Sequence, residues 1–338
     1  MTALAQGVSG DVPDENRLSE GNADYALTAR GLVKVYGDVR ALDGVDLAVP
    51  DGSVFGFLGP NGAGKTTTLR ILTGLARPTS GTASIFGQDI AKAGPAARSL
   101  TGFLPDVPGF YGWMTAEEYM RFAGGLFGLE GRVLSERVSA LLDLAGLRDV
   151  GTRIGGYSRG MKQRLGVAQA LVNAPRLLML DEPTSALDPI GRKEVLDMLA
   201  SLRDRTTVFF STHILADVER VCDTVAILDR GRVVAQAPID ELKARYAAHR
   251  ITVEIEGPAQ EFAEALRTQT WVTGIDVQND STLSVSVSDV EAAEHVIPGV
   301  IAERQFGLRR FEGGEIDLED VFVELVSGAA KTGEVAPR

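Results

Sequence analysis

A single cysteine, three histidines and the lack of any long apolar run set the first limits on this chain of 338 residues. Cys222 has no partner for an intrachain disulfide, and its setting, Val221-Cys222-Asp223, reads as a small packing residue rather than a reactive thiol. His213, His249 and His295 lie far apart in sequence, so Cys/His metal clusters are excluded by supply. No segment approaches the ~18 apolar residues of a membrane helix. The longest runs, such as Leu177 to Leu180, have the length of buried strands. The amino terminus has no basic segment followed by an apolar one and does not read as a secretory signal. Positive charge is also short: 34 Lys and Arg face 46 Asp and Glu, a formal net charge of −12. That is the wrong sign for sequence-independent nucleic-acid binding, which rests on Lys and Arg facing phosphates. A cytoplasmic protein is expected, unless a partner holds it at a membrane.

What is present fits about two domains at ~150 residues each. Residues 1–24 are rich in Gly, Ser, Asn and acidic side chains and read as a disordered tail. Over 25–245, short apolar runs alternate with helical patterns, the mark of an α/β domain around a mostly parallel sheet. Val54 to Leu58, Leu177 to Leu180 and Thr207 to Ser211 are apolar almost throughout and read as buried strands. A helical insertion is expected over about 107–165, with clear periodicity between Thr115 and Leu147. Over 246–328, strands at Ile251 to Ile255 and Thr282 to Val287 interleave with helices at Gln260 to Leu266 and Val290 to Val296. This predicts a small α+β, βαββαβ-like accessory domain closed by a helix from Leu318 to Val326, with a tail over 329–338.

Gly59, Pro60, Asn61, Gly62, Ala63, Gly64, Lys65 and Thr66 fit GxxxxGK[ST], followed by Thr67 at the start of a helix and preceded by a strand. Glycines let backbone N–H groups converge on a phosphate, and the helix that follows turns its positive end to the same charge. Lys65 would reach the β- and γ-phosphates of a nucleotide, and the Thr66 hydroxyl would ligate Mg²⁺. The motif alone indicates a P-loop nucleotide hydrolase. A second element, Leu177 to Leu180 followed by Asp181 and Glu182, ends an apolar strand in two carboxylates. Asp181 suits a metal ligand beside Thr66, and Glu182 suits the group that polarises an attacking water.

Tyr157-Ser158-Arg159-Gly160-Met161-Lys162-Gln163-Arg164 closely resembles the LSGGQ signature of ABC ATPases. Ser185-Ala186-Leu187-Asp188 resembles the family's D-loop, Ser211-Thr212-His213 its switch histidine, and Tyr36 its adenine-stacking aromatic, all in the family's order. The resemblance implies that Ser158, Arg159, Gly160 and Met161 face the ATP bound by a second subunit, so that hydrolysis needs a dimer, read here as a homodimer. It implies that Asp188 serves the D-loop and that His213 holds the water and Glu182 in place. The terminal pattern Leu318-Glu319-Asp320-Val321-Phe322 is similar to that of ATP-binding subunits of drug, lipid and antibiotic-resistance exporters. These power a separate transmembrane permease from the inner face of the membrane. The competing reading is a soluble ABC ATPase outside transport. Its known kinds carry paired cassettes, long coiled coils or zinc cysteines, which this chain lacks.

The chain departs from the family at three positions. Asp106, in Phe103-Leu104-Pro105-Asp106, stands where a glutamine is usual, and its carboxylate makes it a third candidate Mg²⁺ ligand. Arg159 replaces a glycine and Met161 a glutamine of the signature. Phe110, Tyr111, Trp113, Met114 and Tyr119 follow Asp106. In the family this region cradles a helix of the permease. Tyr111 and Trp113 suit such a contact, and Tyr119 and Phe122 equally suit the core of the insertion.

Overall fold

The computed structural model describes residues 25–247, 250–313 and 317–332. The tail expected over 1–24 lies outside the described residues. Elements follow in chain order. β1 (Tyr25–Tyr36), β2 (Val39–Pro50) and β3 (Val54–Leu58) precede α1 (Lys65–Leu72). β4 (Ser80–Ile85), β5 (Gln88–Asp89), α2 (Ile90–Ala93) and α3 (Pro95–Ser99) lead to β6 (Thr101–Leu104). α4 (Ala116–Leu126), α5 (Gly131–Leu144) and α6 (Arg159–Ala170) are followed by β7 (Leu177–Asp181), α7 (Pro189–Ala200) and β8 (Thr207–Thr212). Then come α8 (Leu215–Val221), β9 (Thr224–Asp229), β10 (Arg232–Pro238) and α9 (Ile239–Ala247). The chain ends in β11 (Arg250–Glu256), α10 (Ala259–Leu266), β12 (Val272–Val277), β13 (Thr282–Val287), α11 (Val290–Glu303), β14 (Gly307–Gly313) and α12 (Leu318–Thr332). Two compact units divide between Ala237 and Pro238.

In the first unit β3, β7 and β8 are buried at every residue. Strands covered on both faces need apolar side chains in both directions, which is why their sequences do not alternate. Successive side chains leave opposite faces. Phe55, Phe57, Leu177, Met179 and Phe209 join a core with β1, β2 and α1. Val54, Leu178, Leu180, Val208 and Phe210 join a second core with α4 to α7. The sheet order is β10-β9-β3-β8-β7-β6, with β9, β3, β8, β7 and β6 parallel. An antiparallel sheet, β2-β1-β4-β5, completes the unit. Helix α4 begins at the expected threonine: Thr115 Oγ1 accepts from Glu118 N, and Glu118 Oε2 accepts from Thr115 N at 2.8 Å, a reciprocal cap.

The second unit has the order β12-β13-β11-β14, antiparallel throughout. Ile251, Val253 and Ile255 alternate inward against Phe262 of α10 and Ile297 of α11, giving the βαββαβ arrangement. Two helices outrun their sequence-based limits. The first, α11, passes through Pro298 to Glu303 although proline removes one helical N–H. It persists because Ala293, Ile297 and Ile301 bury one face against the sheet. The second, α12, continues to Thr332, so residues 329–332 are helical rather than tail. The alanines after Gly328 favour helix. Residues 333–338 lie outside the described residues.

Candidate functional site

Register decides where the polar ends of the buried strands meet. Leu58 of β3 pairs with Thr212 of β8, and Asp181 of β7 pairs with Ser211. Residues that follow the carboxyl ends of the three strands therefore emerge side by side, where open α/β sheets bind ligands. The loop 59–64 leaves β3 through glycines that no other residue replaces without strain. A Cβ on Gly59 would lie 2.4 Å from the Leu228 carbonyl oxygen. One on Gly64, at φ +114°, would lie 2.6 Å from a Leu42 methyl. Gly64 caps α1 with no side-chain hydrogen bond, so the first-turn N–H groups of α1 have no side-chain cap and point toward the loop.

Lys65 is almost wholly buried, and its Nζ donates to the Gly59 carbonyl at 2.7 Å and to that of Pro60 at 3.3 Å. The same Nζ lies 3.2 Å from Glu182 Oε1. The other oxygen, Glu182 Oε2, is 2.8 Å from His213 Nδ1. The Thr66 hydroxyl donates to Asp181 Oδ1 at 3.3 Å, and Ser211 Oγ donates to the same oxygen at 2.7 Å. Glu182 N donates to both the carbonyl and the hydroxyl oxygen of Ser211. Lys65, Thr66, Asp181, Glu182, Ser211 and His213 thus form one connected cluster. Ser211 had not been given a role from the sequence. Its signal is a hydroxyl at the end of an otherwise apolar strand, beside Asp181 in register.

The residues fit a polyphosphate with Mg²⁺. Glycines clear a cradle, uncapped N–H groups and an ammonium face it, and the Thr66 hydroxyl already touches the Asp181 carboxylate. No group of three His, Cys, Asp or Glu side chains placed to hold a metal exists among the described residues. Mg²⁺ does not require one, because it takes one or two carboxylates together with water and phosphate oxygens. Asn61, Gly62 and Thr66 are exposed to an incoming ligand, and Ala63 is buried. Thr67 is half-buried on α1. Tyr36 ends β1 with its ring 45% exposed and the Lys34 ammonium 4.6 Å from the ring centre. Lys34 also donates to the Arg77 carbonyl, which fixes it against the ring.

Ser158, Arg159, Gly160, Met161 and Asp188 form a second group. Ser158 caps α6, accepting from Met161 N at 3.2 Å, while Tyr157 anchors the segment in the core, where burial raises its phenol. Asp188 caps α7, accepting from Gly191 N at 3.2 Å. A Cβ on Gly160 would lie 3.5 Å from the Gly191 Cα, so the two helix starts abut. Among the described residues no hydrogen bond or ion pair joins this group to the Lys65–Glu182 cluster. Asp106 lies with the second group: its Oδ1 is 3.8 Å from an Arg159 guanidinium nitrogen, and it makes no hydrogen bond to Thr66 or Asp181.

Tyr111, Trp113 and Phe122 are exposed on the insertion and in ring contact, whereas Tyr119 is buried and donates to Gln169 Oε1. Cys222 is enclosed, and burial pushes its thiol well above its ordinary value, which suits packing. No helix among the described residues is long and apolar enough to cross a membrane.

Residues 42–185 match the family model described as ABC transporter, and residues 238–326 match the ATP-binding protein DrrA1-3-like, C-terminal domain. The chain is 40% identical over 301 residues to the uncharacterized ABC transporter ATP-binding protein YxlF of Bacillus subtilis (strain 168), covering 89% of this chain and 99% of the relative. It is 37% identical to the daunorubicin/doxorubicin resistance ATP-binding protein DrrA of Streptomyces peucetius, covering 90% and 93%. With the bacitracin transport ATP-binding protein BcrA of Bacillus licheniformis it shares 36% over 88% and 96%. A solved ATP-binding subunit of an ABC transporter superposes with a TM-score of 0.58 at 32% identity, over 65% of this chain and 93% of that one. A dimeric, post-hydrolysis ATP-binding cassette with ADP and Pi superposes at 0.57 and 25% identity, over 63% and 98%.

Proposed function

Because the chain belongs to the ATP-binding proteins of ABC transporters and is an ATPase, we propose that it is the ATP-hydrolysing subunit of an exporter of the drug or antibiotic kind. It acts as a dimer around two ATP and drives a separate transmembrane permease, which holds it at the inner face of the membrane. The relatives named for daunorubicin resistance and bacitracin transport, together with the DrrA-like second unit, support the exporter reading. The observation that carries the catalytic reading is the single cluster linking Lys65, Thr66, Asp181, Glu182, Ser211 and His213.

The contacts within the cluster support its roles. The loop from Gly59 to Gly64 and the start of α1, including Thr67, cradle the phosphates, and the exposed ring of Tyr36 stacks on adenine. Lys65 Nζ exchanges its contact with Glu182 for the β- and γ-phosphate oxygens, which releases Glu182 to accept a proton from the attacking water. His213 Nδ1 holds the second oxygen of Glu182 and so fixes the direction of the first. Thr66 and Asp181 would hold Mg²⁺, with Ser211 fixing the Asp181 carboxylate. A metal held there would offset the charge of the phosphates. Asp106 is assigned instead to Arg159, its nearest charged partner. Ser158 to Met161 and Asp188 serve the site of the other subunit, which is why they stand apart from the cluster of their own chain.

Glu182→Gln tests the reading. Turnover should fall by about 10²–10⁴-fold, the contribution of a positioned general base. ATP binding should persist and hold a dimer, measured by light scattering after gel filtration. Wild-type turnover in this variant would remove Glu182 from the mechanism.

A further inference from the structure

Asp217 is fully buried on the first turn of α8, the helix that directly follows His213. Its oxygens face different segments. Oδ2 accepts the Thr184 hydroxyl at 2.5 Å, and Oδ1 takes the Nε–H of Arg192. Thr184 is itself buried and stands just past Glu182, and Arg192 sits on the first turn of α7, which Asp188 caps. The segments that leave Glu182, Asp188 and His213 therefore meet at one carboxylate.

The turn between Glu182 and Asp188 is held under strain. Glu182 has φ +50° and Ala186 φ +52°, left-handed values at residues with a Cβ. Such conformations persist only where the surroundings fix them, and Thr184 lies between the two. A buried carboxylate is unfavourable without its partners, so the turn and α8 cannot separate without leaving Asp217 unpaired. Packing of α7 on α8 does not need this arrangement, since Arg220 and Asp197 already bridge the two helices at the surface. The Thr184 hydroxyl is the part that a helix-to-helix contact leaves unexplained.

We propose that Asp217 is a positioning residue, which through Thr184 and Arg192 sets Glu182 and His213 at hydrogen-bond distance and ties that pair to the helix behind the D-loop. The proposal rests on Glu182 acting as the base.

The test is steady-state ATPase kinetics with binding of a fluorescent ADP analogue, on the full chain. Asp217→Asn and Thr184→Val should each lower kcat by about 10- to 100-fold, as small displacements of a catalytic group do. KM and the ADP Kd should stay within about 2-fold, since uniform binding is untouched. Thr184→Ser keeps the hydroxyl and should retain turnover. Combined with Glu182→Gln, Asp217→Asn should add less than about 2-fold to the loss, because residues acting through one group are not additive. Wild-type kcat in Asp217→Asn or Thr184→Val would overturn the proposal. So would a loss that persists in full in the Glu182→Gln background, or a rise in ADP Kd in step with the fall in kcat. If Asp217→Asn fails to fold, Thr184→Val against Thr184→Ser decides. Glu182→Gln alone with normal turnover would instead refute the base on which the proposal rests.

Discussion

The two polar groups of the first unit are built on opposite plans. Around Lys65 and Glu182, buried and partly exposed side chains satisfy one another through short contacts, and the strands beneath are fixed by register. Around Ser158 and Asp188, two helix starts lie together with their side chains spent on capping, and the charged pair beside them, Arg159 and Asp106, is about half exposed. The first group can hold a phosphate with residues of one chain. The second offers an anion-binding helix start and no cradle. On the proposed reading each chain carries one whole phosphate site and one lid for another, so the comparison is sharpest where the two can be made to fail separately.

Lys65→Ala should show the largest effect. It removes the ammonium from the cradle and leaves the Glu182 carboxylate, 13% exposed, without its cation. Truncating one member of a buried charge pair costs about 2–5 kcal/mol, so nucleotide affinity should fall by ~10²–10³-fold in a fluorescent ATP titration. Undiminished binding would break the first half of the comparison.

Gly160→Asp should leave that half intact. A Cβ at Gly160 meets only ordinary contacts, so the fold should tolerate it. A carboxylate at a helix start takes up the field that would favour phosphate, an effect of up to ~2 kcal/mol, so turnover should fall by up to ~30-fold while ADP binding by the single chain stays unchanged. Mixed with Lys65→Ala subunits, Gly160→Asp subunits should regain activity, because one interface then pairs an intact cradle with an intact signature. A mixture no more active than its parts would place both groups on the same nucleotide.

A chain ending at Pro238 should show a smaller effect still. The cluster draws only on residues up to His213, so nucleotide affinity should change by less than ~1 kcal/mol, as for residues that share no partner with it. A folded, truncated chain, checked by circular dichroism, that no longer binds ADP would show that the second unit contributes to the site.

The first group was far more legible in the sequence than the links between groups. Lys65, Thr66, Asp181 and Glu182 follow apolar strands whose composition announces burial, and local motif chemistry implies their convergence. The second unit was legible through the alternation of Ile251, Val253 and Ile255, which the βαββαβ sheet then buried. Helix limits were less so: burial of Ile297 and Ile301 carried α11 through Pro298, a tertiary effect absent from local propensity. Ser211 and Asp217 were missed for a related reason. Their partners, Asp181 and Thr184, are distant in sequence, and only the pairing of β7 with β8 brings them together.

Asp106 decides where the boundary between the two groups runs, and it carries the smallest expected effect. From sequence alone its carboxylate reads as a Mg²⁺ ligand beside Asp181. We assign it instead to the signature, because it stands 3.8 Å from Arg159. Both side chains are about half exposed, and such pairs contribute only ~0.2–1 kcal/mol. Asp106→Asn should therefore leave thermal stability nearly unchanged, with the Mg²⁺ concentration for half-maximal ATPase activity within about 2-fold of wild type, a difference below ~0.5 kcal/mol. If the carboxylate did reach the metal, its charge at a few ångströms would be worth several kcal/mol at an effective dielectric of ~20. The Mg²⁺ titration would then shift by more than tenfold. Asp106→Asn in an Arg159→Ala background separates the two assignments further. An Asp106 that acts through Arg159 has nothing left to lose there, whereas a metal ligand shifts the titration whether or not the arginine is present.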